Sequence, residues 1–189
     1  MICLSTAVGL LGVLEEEQLK LRVFLLIFIV GVMSFYGLYW FYNQNFSKAL
    51  LPKKIEVSGF ALIKEEFLIT EGCGIKVFDL SKSTLDQINQ QGLAFFEDAT
   101  QARGYDPDKH RYNHYYSYTT WQETPIQESQ KNKNFWVGLS CAKGLNLDES
   151  LYAKIKAAAS TKGSYYTGHI EGQLIVIPSL GIVVFSYMG

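Results

Sequence analysis

The chain has 189 residues, 48% of them hydrophobic and 14% aromatic, with only 4 Pro, which suits a folded domain and excludes an intrinsically disordered one. Residues 50–189 carry 14 Lys plus Arg against 15 Asp plus Glu, a net of −1. No basic field is therefore available to hold nucleic acid, and that class of partner is excluded.

From Val23 to Tyr42 the sequence reads VFLLIFIVGVMSFYGLYWFY, twenty residues without a charge. About 20 apolar residues are what a helix needs to cross a hydrocarbon core of about 30 Å. The run has no polar face at helical period, so it does not read as a helix lying on a soluble core. It also outlasts the apolar region of about 7 to 15 residues in a cleaved signal peptide, and no small-residue cleavage site follows it closely. The expectation is an uncleaved signal-anchor with its partner bilayer at 23–42, preceded by a tail at 1–22 and followed by a linker at 43–54. Tyr36, Tyr39, Trp40, Phe41 and Tyr42 gather at the exit end, where amphipathic rings settle among headgroups. Lys20 and Arg22 stand before the run and Lys48, Lys53 and Lys54 after it, so charge alone does not orient the helix. Its place near the start, directly behind two basic residues, favours a cytoplasmic N-terminus. The C-terminal domain is then periplasmic or extracellular.

Residues 55–189 read as one soluble α+β domain. Ile55–Ile63, Phe67–Thr70 and Ile75–Leu80 have the apolar content of strands. Ser83, with Asp86 three residues on, opens a helix carrying Leu85, Ile88 and Phe95, with Gly92 a weak point inside it. After the Asp106-Pro107-Asp108 turn comes an aromatic run, Tyr112–Trp121, which alternates as a strand would. A polar stretch, Glu123–Asn134, leads to a further strand at Phe135–Cys141. Asn146 with Glu149 three later caps a second helix, in which Leu147, Leu151, Ile155 and Ala158 keep helical spacing up to Gly163. Tyr165–Ile177, the turn Pro178–Gly181 and Ile182–Tyr187 form a closing β-hairpin. Short spacing between strands predicts a mostly antiparallel sheet, with both helices packed on one face.

Asp106, Asp108, His110 and His114 offer carboxylates and a His pair at i and i+4, the spacing that a helix turns into one metal-binding face. In a strand the same imidazoles stand about 13 Å apart. Pro107 and its polar neighbours favour strand or loop, which argues against a metal there. Tyr112, Tyr115, Tyr116, Tyr118 and Trp121 are the densest aromatic patch outside the apolar run. On a strand, one face of that patch forms an exposed strip able to bind a glycan or a protein. Cys73 and Cys141 are the domain's two cysteines, and an oxidising compartment would join them. No glycine-rich phosphate loop, P-loop lysine or G-x-S-x-G elbow is present, and no cofactor is expected.

These features point to a non-enzymatic module held at the cell membrane to bind a protein or envelope component, its protein partner unidentified. Two alternatives carry different signatures. A membrane-anchored hydrolase or metal-dependent enzyme would use the Asp/His segment 106–114. A structural accessory subunit of a membrane complex would pack its helix through Gly31 and Gly37.

Overall fold

The computed structural model describes residues 3–67, 71–127 and 133–189. The end of the strand expected at Phe67–Thr70 and the middle of the polar stretch 123–134 lie outside these residues. Two compact units divide the chain, residues 1–45 and 46–189. The first is almost entirely one helix, α1 (Cys3–Lys48), of 46 residues. Glu15, Glu16 and Glu17 do not interrupt it, so the tail and the apolar run are continuous. Within it Lys20–Lys48 is long and apolar enough to span a membrane. The large side chains from Leu21 to Tyr42 are all exposed, Met33 at 70% and Phe35 at 74%.

The second unit holds β1 (Val57–Phe67), β2 (Gly72–Leu80), α2 (Lys82–Gln91), β3 (Gln122–Glu123), α3 (Lys133–Gly144), α4 (Glu149–Ser160), β4 (Tyr165–Gly168), β5 (Gly172–Ile177) and β6 (Ile182–Met188). The six strands form one antiparallel sheet in the order β1-β2-β6-β5-β4-β3. The fold class is thus α+β with an antiparallel sheet, as the sequence implies. The closing hairpin pairs Ile177 with Ile182 through a 3-10 turn at Pro178–Leu180 and Gly181 at φ 66°.

The helices do not share one face. Alternate residues of the central strands feed two separate cores. Phe78, Leu174, Val176, Val183 and Phe185 point to the side of α2, joined there by Leu51, Ile55, Ile88, Phe95, Phe96 and Trp121. Ile75, Val77, Ile175, Ile177, Ile182 and Val184 point to the other, against Phe135, Leu139 and Ala142 of α3 and Ile155 and Ala159 of α4. Strands buried on both sides read as continuous apolar runs, and LIVI in β5 and IVVF in β6 are of that kind.

Phe135–Cys141 is helix, not strand. Phe135, Gly138, Leu139 and Ala142 are the buried positions of α3, at the i, i+3, i+4, i+7 spacing of one helical face. Gly138 lets that face approach β6 closely: a Cβ there would stand 2.6 Å from the Tyr187 carbonyl oxygen. Ser186 Oγ donates to the Phe135 carbonyl at 2.8 Å across the same contact. Caps differ slightly from expectation. Ser81 rather than Ser83 caps α2, accepting from Thr84 N at 3.2 Å. Asp148 caps α4 through Leu151 N at 2.9 Å, while Asn146 occupies a positive φ of 60° between α3 and α4. Gly92, at φ 59°, ends α2, and Phe95 lies on the following 3-10 turn, Gly92–Phe96.

Candidate functional site

Residues 110–121 do not form the expected aromatic strand. His110–Tyr115 is a 3-10 helix, and it is set by Asp106 and Asn113. Asn113 Nδ2 donates to the Asp106 carbonyl at 2.6 Å and Asp106 N donates to Asn113 Oδ1 at 3.1 Å. The Asp106 carboxylate accepts from Asp108 N at 3.1 Å and pairs with Lys109 at 3.2 Å. These contacts hold its pKa below the usual carboxylate range, the Asp108 N–H contributing most. Asp106 is thus occupied by its own loop. His114 is exposed, its ring 3.9 Å from that of Tyr115, and the side chains of His110 and Tyr112 lie outside the described ones. Among the described residues no three His, Cys, Asp or Glu side chains converge as metal ligands would.

The rest of the aromatic patch is largely core. Trp121 is 4% exposed, stacks on Phe96 at 4.4 Å and donates from Nε1 to the Ala99 carbonyl at 2.8 Å. Tyr118 is buried and donates to the Leu50 carbonyl at 2.7 Å; burial pushes its pKa far above the ordinary tyrosine value. Tyr116 is half-buried against the same core, close beside Gly104. Among the described side chains, Tyr115 and Tyr116 are half-buried and Tyr118 and Trp121 buried, so these four make no exposed strip.

What the loop does instead is wall a groove. Past Ser117 it runs beside β4, where Thr119 N donates to the Gly168 carbonyl at 2.9 Å and Thr167 Oγ1 donates to the Thr119 carbonyl at 2.6 Å. It then pairs as β3, Gln122 opposite Tyr166, with the Tyr166 hydroxyl donating to Gln122 Oε1 at 2.7 Å. Thr124 Oγ1 joins the Thr161 and Ser164 carbonyls and fixes the loop's exit. The open groove this leaves has a volume of about 1210 Å³. Its lining is rich in hydroxyls and amides and includes His114, His169, Pro125 and Ile170, and Glu123 and Lys162 are the only Asp, Glu, Lys or Arg among its described residues.

His169 lines the groove; the sequence reads it as a packed or surface residue of one strand, Tyr165–Ile177, whereas it lies in the turn between β4 and β5. Its ring lies 5.6 Å from Phe185, 5.2 Å from Tyr118 and 6.5 Å from Tyr115. Gly172 makes room for it, since a Cβ there would meet the Phe185 ring and stand 3.3 Å from His169 Cε1. Nδ1 accepts from Glu171 N at 3.2 Å, so the proton is on Nε2, which is buried and has no acceptor among the described residues. Burial, with a smaller push from His114, lowers the pKa to about 4 from 6.5.

That depression has a stability consequence. The folded state favours neutral His169, so its contribution is complete above pH 6.5 and is lost as pH falls toward 4. The loss is at most about 3 kcal/mol, reduced because solvent reaches part of the ring. Urea unfolding at pH 7, 5.5 and 4.5 should show it, and a His169→Phe variant should flatten the decline. An equal decline in that variant would assign the acid sensitivity elsewhere.

A second polar cluster lies on the α2 side of the sheet. Lys76 is 5% exposed, pairs with Glu65 at 3.2 Å and donates to Ser47 Oγ at 3.4 Å. A hydroxyl beside an amine suggests a nucleophile and its base, but Ser47 is fully buried and the amine is engaged by a carboxylate. No substrate carbonyl could reach that hydroxyl. The cluster is structural. Set beside known proteins, the chain matches no family model, no curated protein and no solved structure.

Proposed function

We propose that the chain is a single-pass cell-membrane protein that presents a non-enzymatic binding domain on the extracytoplasmic side. The observation that carries the anchor is the exposure of a charge-free run: every large apolar side chain from Val23 to Tyr42 is at least 47% exposed. In water that surface would cost about 25 cal/mol for each Å² left uncovered, and a bilayer removes the cost. The polar groove of the second unit supports the binding role. The placement of Asp106, Asp108 and His114 lends no support to a hydrolase or metal enzyme at 106–114. The bridging geometry of Cys73 and Cys141, with Cα atoms 6.1 Å apart, agrees with an oxidising side.

The test is carbonate extraction of membranes together with protease protection of intact cells or spheroplasts. The protein should stay in the pellet, and residues 46–189 should be reached by protease added from outside. Release by carbonate would remove the anchor; protection until the membrane is opened would place the domain in the cytoplasm.

A further inference from the structure

We propose that the groove between the 117–127 loop and β4 binds a neutral glycan, a stretch of uncharged polyhydroxylated sugar units; the proposal rests on the reading of the domain as a binding module. Sugar hydroxyls both donate and accept, and they are matched by side chains that do the same. The groove supplies such groups in Thr119, Thr120, Gln122 and Asn134. Sugars also carry apolar C–H faces, which settle on flat rings and aliphatic surface. At the groove those surfaces are the exposed ring of His114, backed by Tyr115 at 3.9 Å, and Ile170, which is 71% exposed.

Charge and shape separate this ligand from its competitors. Among the described lining residues Glu123 and Lys162 cancel, so these offer no complementary field to a polyanion or to an acidic or basic peptide. An extended peptide would recognise a free sheet edge, and here the edge is β3, two residues long and followed by Pro125. A volume of about 1210 Å³ exceeds the roughly 300–1,000 Å³ of sites for single small molecules, and it suits several linked sugar units.

The experiment uses the full chain in detergent micelles and isothermal titration with four probes: cellohexaose, the hexamer of N-acetylglucosamine, a heparin-derived hexasaccharide, and an uncharged extended peptide. A Thr120→Trp variant plugs the groove from an exposed position, and circular dichroism checks that it folds. Binding of at least one neutral oligomer, weakened about tenfold or more in Thr120→Trp and also in His114→Ala, is the result expected. Neutral-sugar binding that survives the plug would overturn the assignment to this groove. Binding of only heparin or only the peptide, lost in the plugged variant, would overturn the glycan and leave the binding module standing. If no probe binds, the glycan is rejected, and a photo-crosslinking residue at position 120 in native membranes decides the rest. An adduct there keeps the binding module; no adduct removes it as well.

Discussion

Replacing Lys76 by Ala should cost about 3–5 kcal/mol of folding stability, because it strands a carboxylate rather than removing a surface charge. Lys76 and Glu65 are 6% and 13% exposed at their side chains, and their charged atoms are 3.2 Å apart. The same carboxylate oxygen accepts from the Tyr187 hydroxyl at 2.8 Å. Burial, and then that bond to Glu65, push the Tyr187 pKa well above its ordinary value, so it stays a donor at any physiological pH. Without the ammonium, one phenol is left to satisfy a buried anion. Gly74 completes the site: at φ 153° its missing Cβ leaves the space where Glu65 crosses, its Cα 2.6 Å from where that Cβ would be. Removing both charges together, as Lys76→Met with Glu65→Gln, should restore most of the loss, since a buried pair exchanged for neutral groups of like volume is often close to neutral. Denaturant unfolding followed by tryptophan fluorescence compares the three proteins. A Lys76→Ala protein within about 1 kcal/mol of the parent would mean that water already reaches the pair.

Parts of this molecule were legible in the residues alone, for reasons that also explain the failures. The apolar run needs no partner to be recognised, because composition and length are its whole signal. The hairpin at Pro178–Gly181 and the helix with Leu151, Ile155 and Ala158 are legible because turn residues and periodicity agree there, although Leu147 falls just before that helix. Phe135–Cys141 reads as a strand because a short, mostly apolar run of seven residues suits a strand or a helix equally; Ala142 lies one residue past that window and completes the helical face. Tyr112–Trp121 alternates like a strand, yet the hydrogen bonds between Asp106 and Asn113 coil its first half, and no local pattern announces a contact of seven residues' separation. The groove was invisible. Thr119, Gln122, Asn134 and His169 have no shared spacing; the pairing of β3 with β4 and the bond from Asn134 Nδ2 to the Ile170 carbonyl bring them to one place. His169 read as an ordinary strand residue because its environment is made by Tyr118 and Phe185, which are distant in sequence.

Loss of the Cys73–Cys141 bridge should lower stability by about 4 kcal/mol, the second large effect expected here. The two residues are 68 apart in sequence, and closing a loop of that length removes much of the unfolded chain's freedom. Their Cα separation of 6.1 Å falls within the roughly 4.4–6.8 Å that a bridge requires, so the folded backbone need not move to form it. The positions also make structural sense: Cys73 is the second residue of β2, and Cys141 lies on α3, so the bridge ties the sheet to the helix that covers it. A Cys73→Ser, Cys141→Ser protein should unfold at lower denaturant concentration and with a steeper slope, because the unfolded chain is freed to expand, while Gly138 and Ser186 keep α3 seated on β6. The oxidation state reports on topology as well, since a cytoplasmic domain keeps its thiols reduced. Protein denatured straight from its native membrane should resist alkylation at both cysteines until reductant is added. Full labelling without reductant would show two free thiols, and it would remove the chemical support for an extracytoplasmic domain while leaving the helix and the sheet as they are.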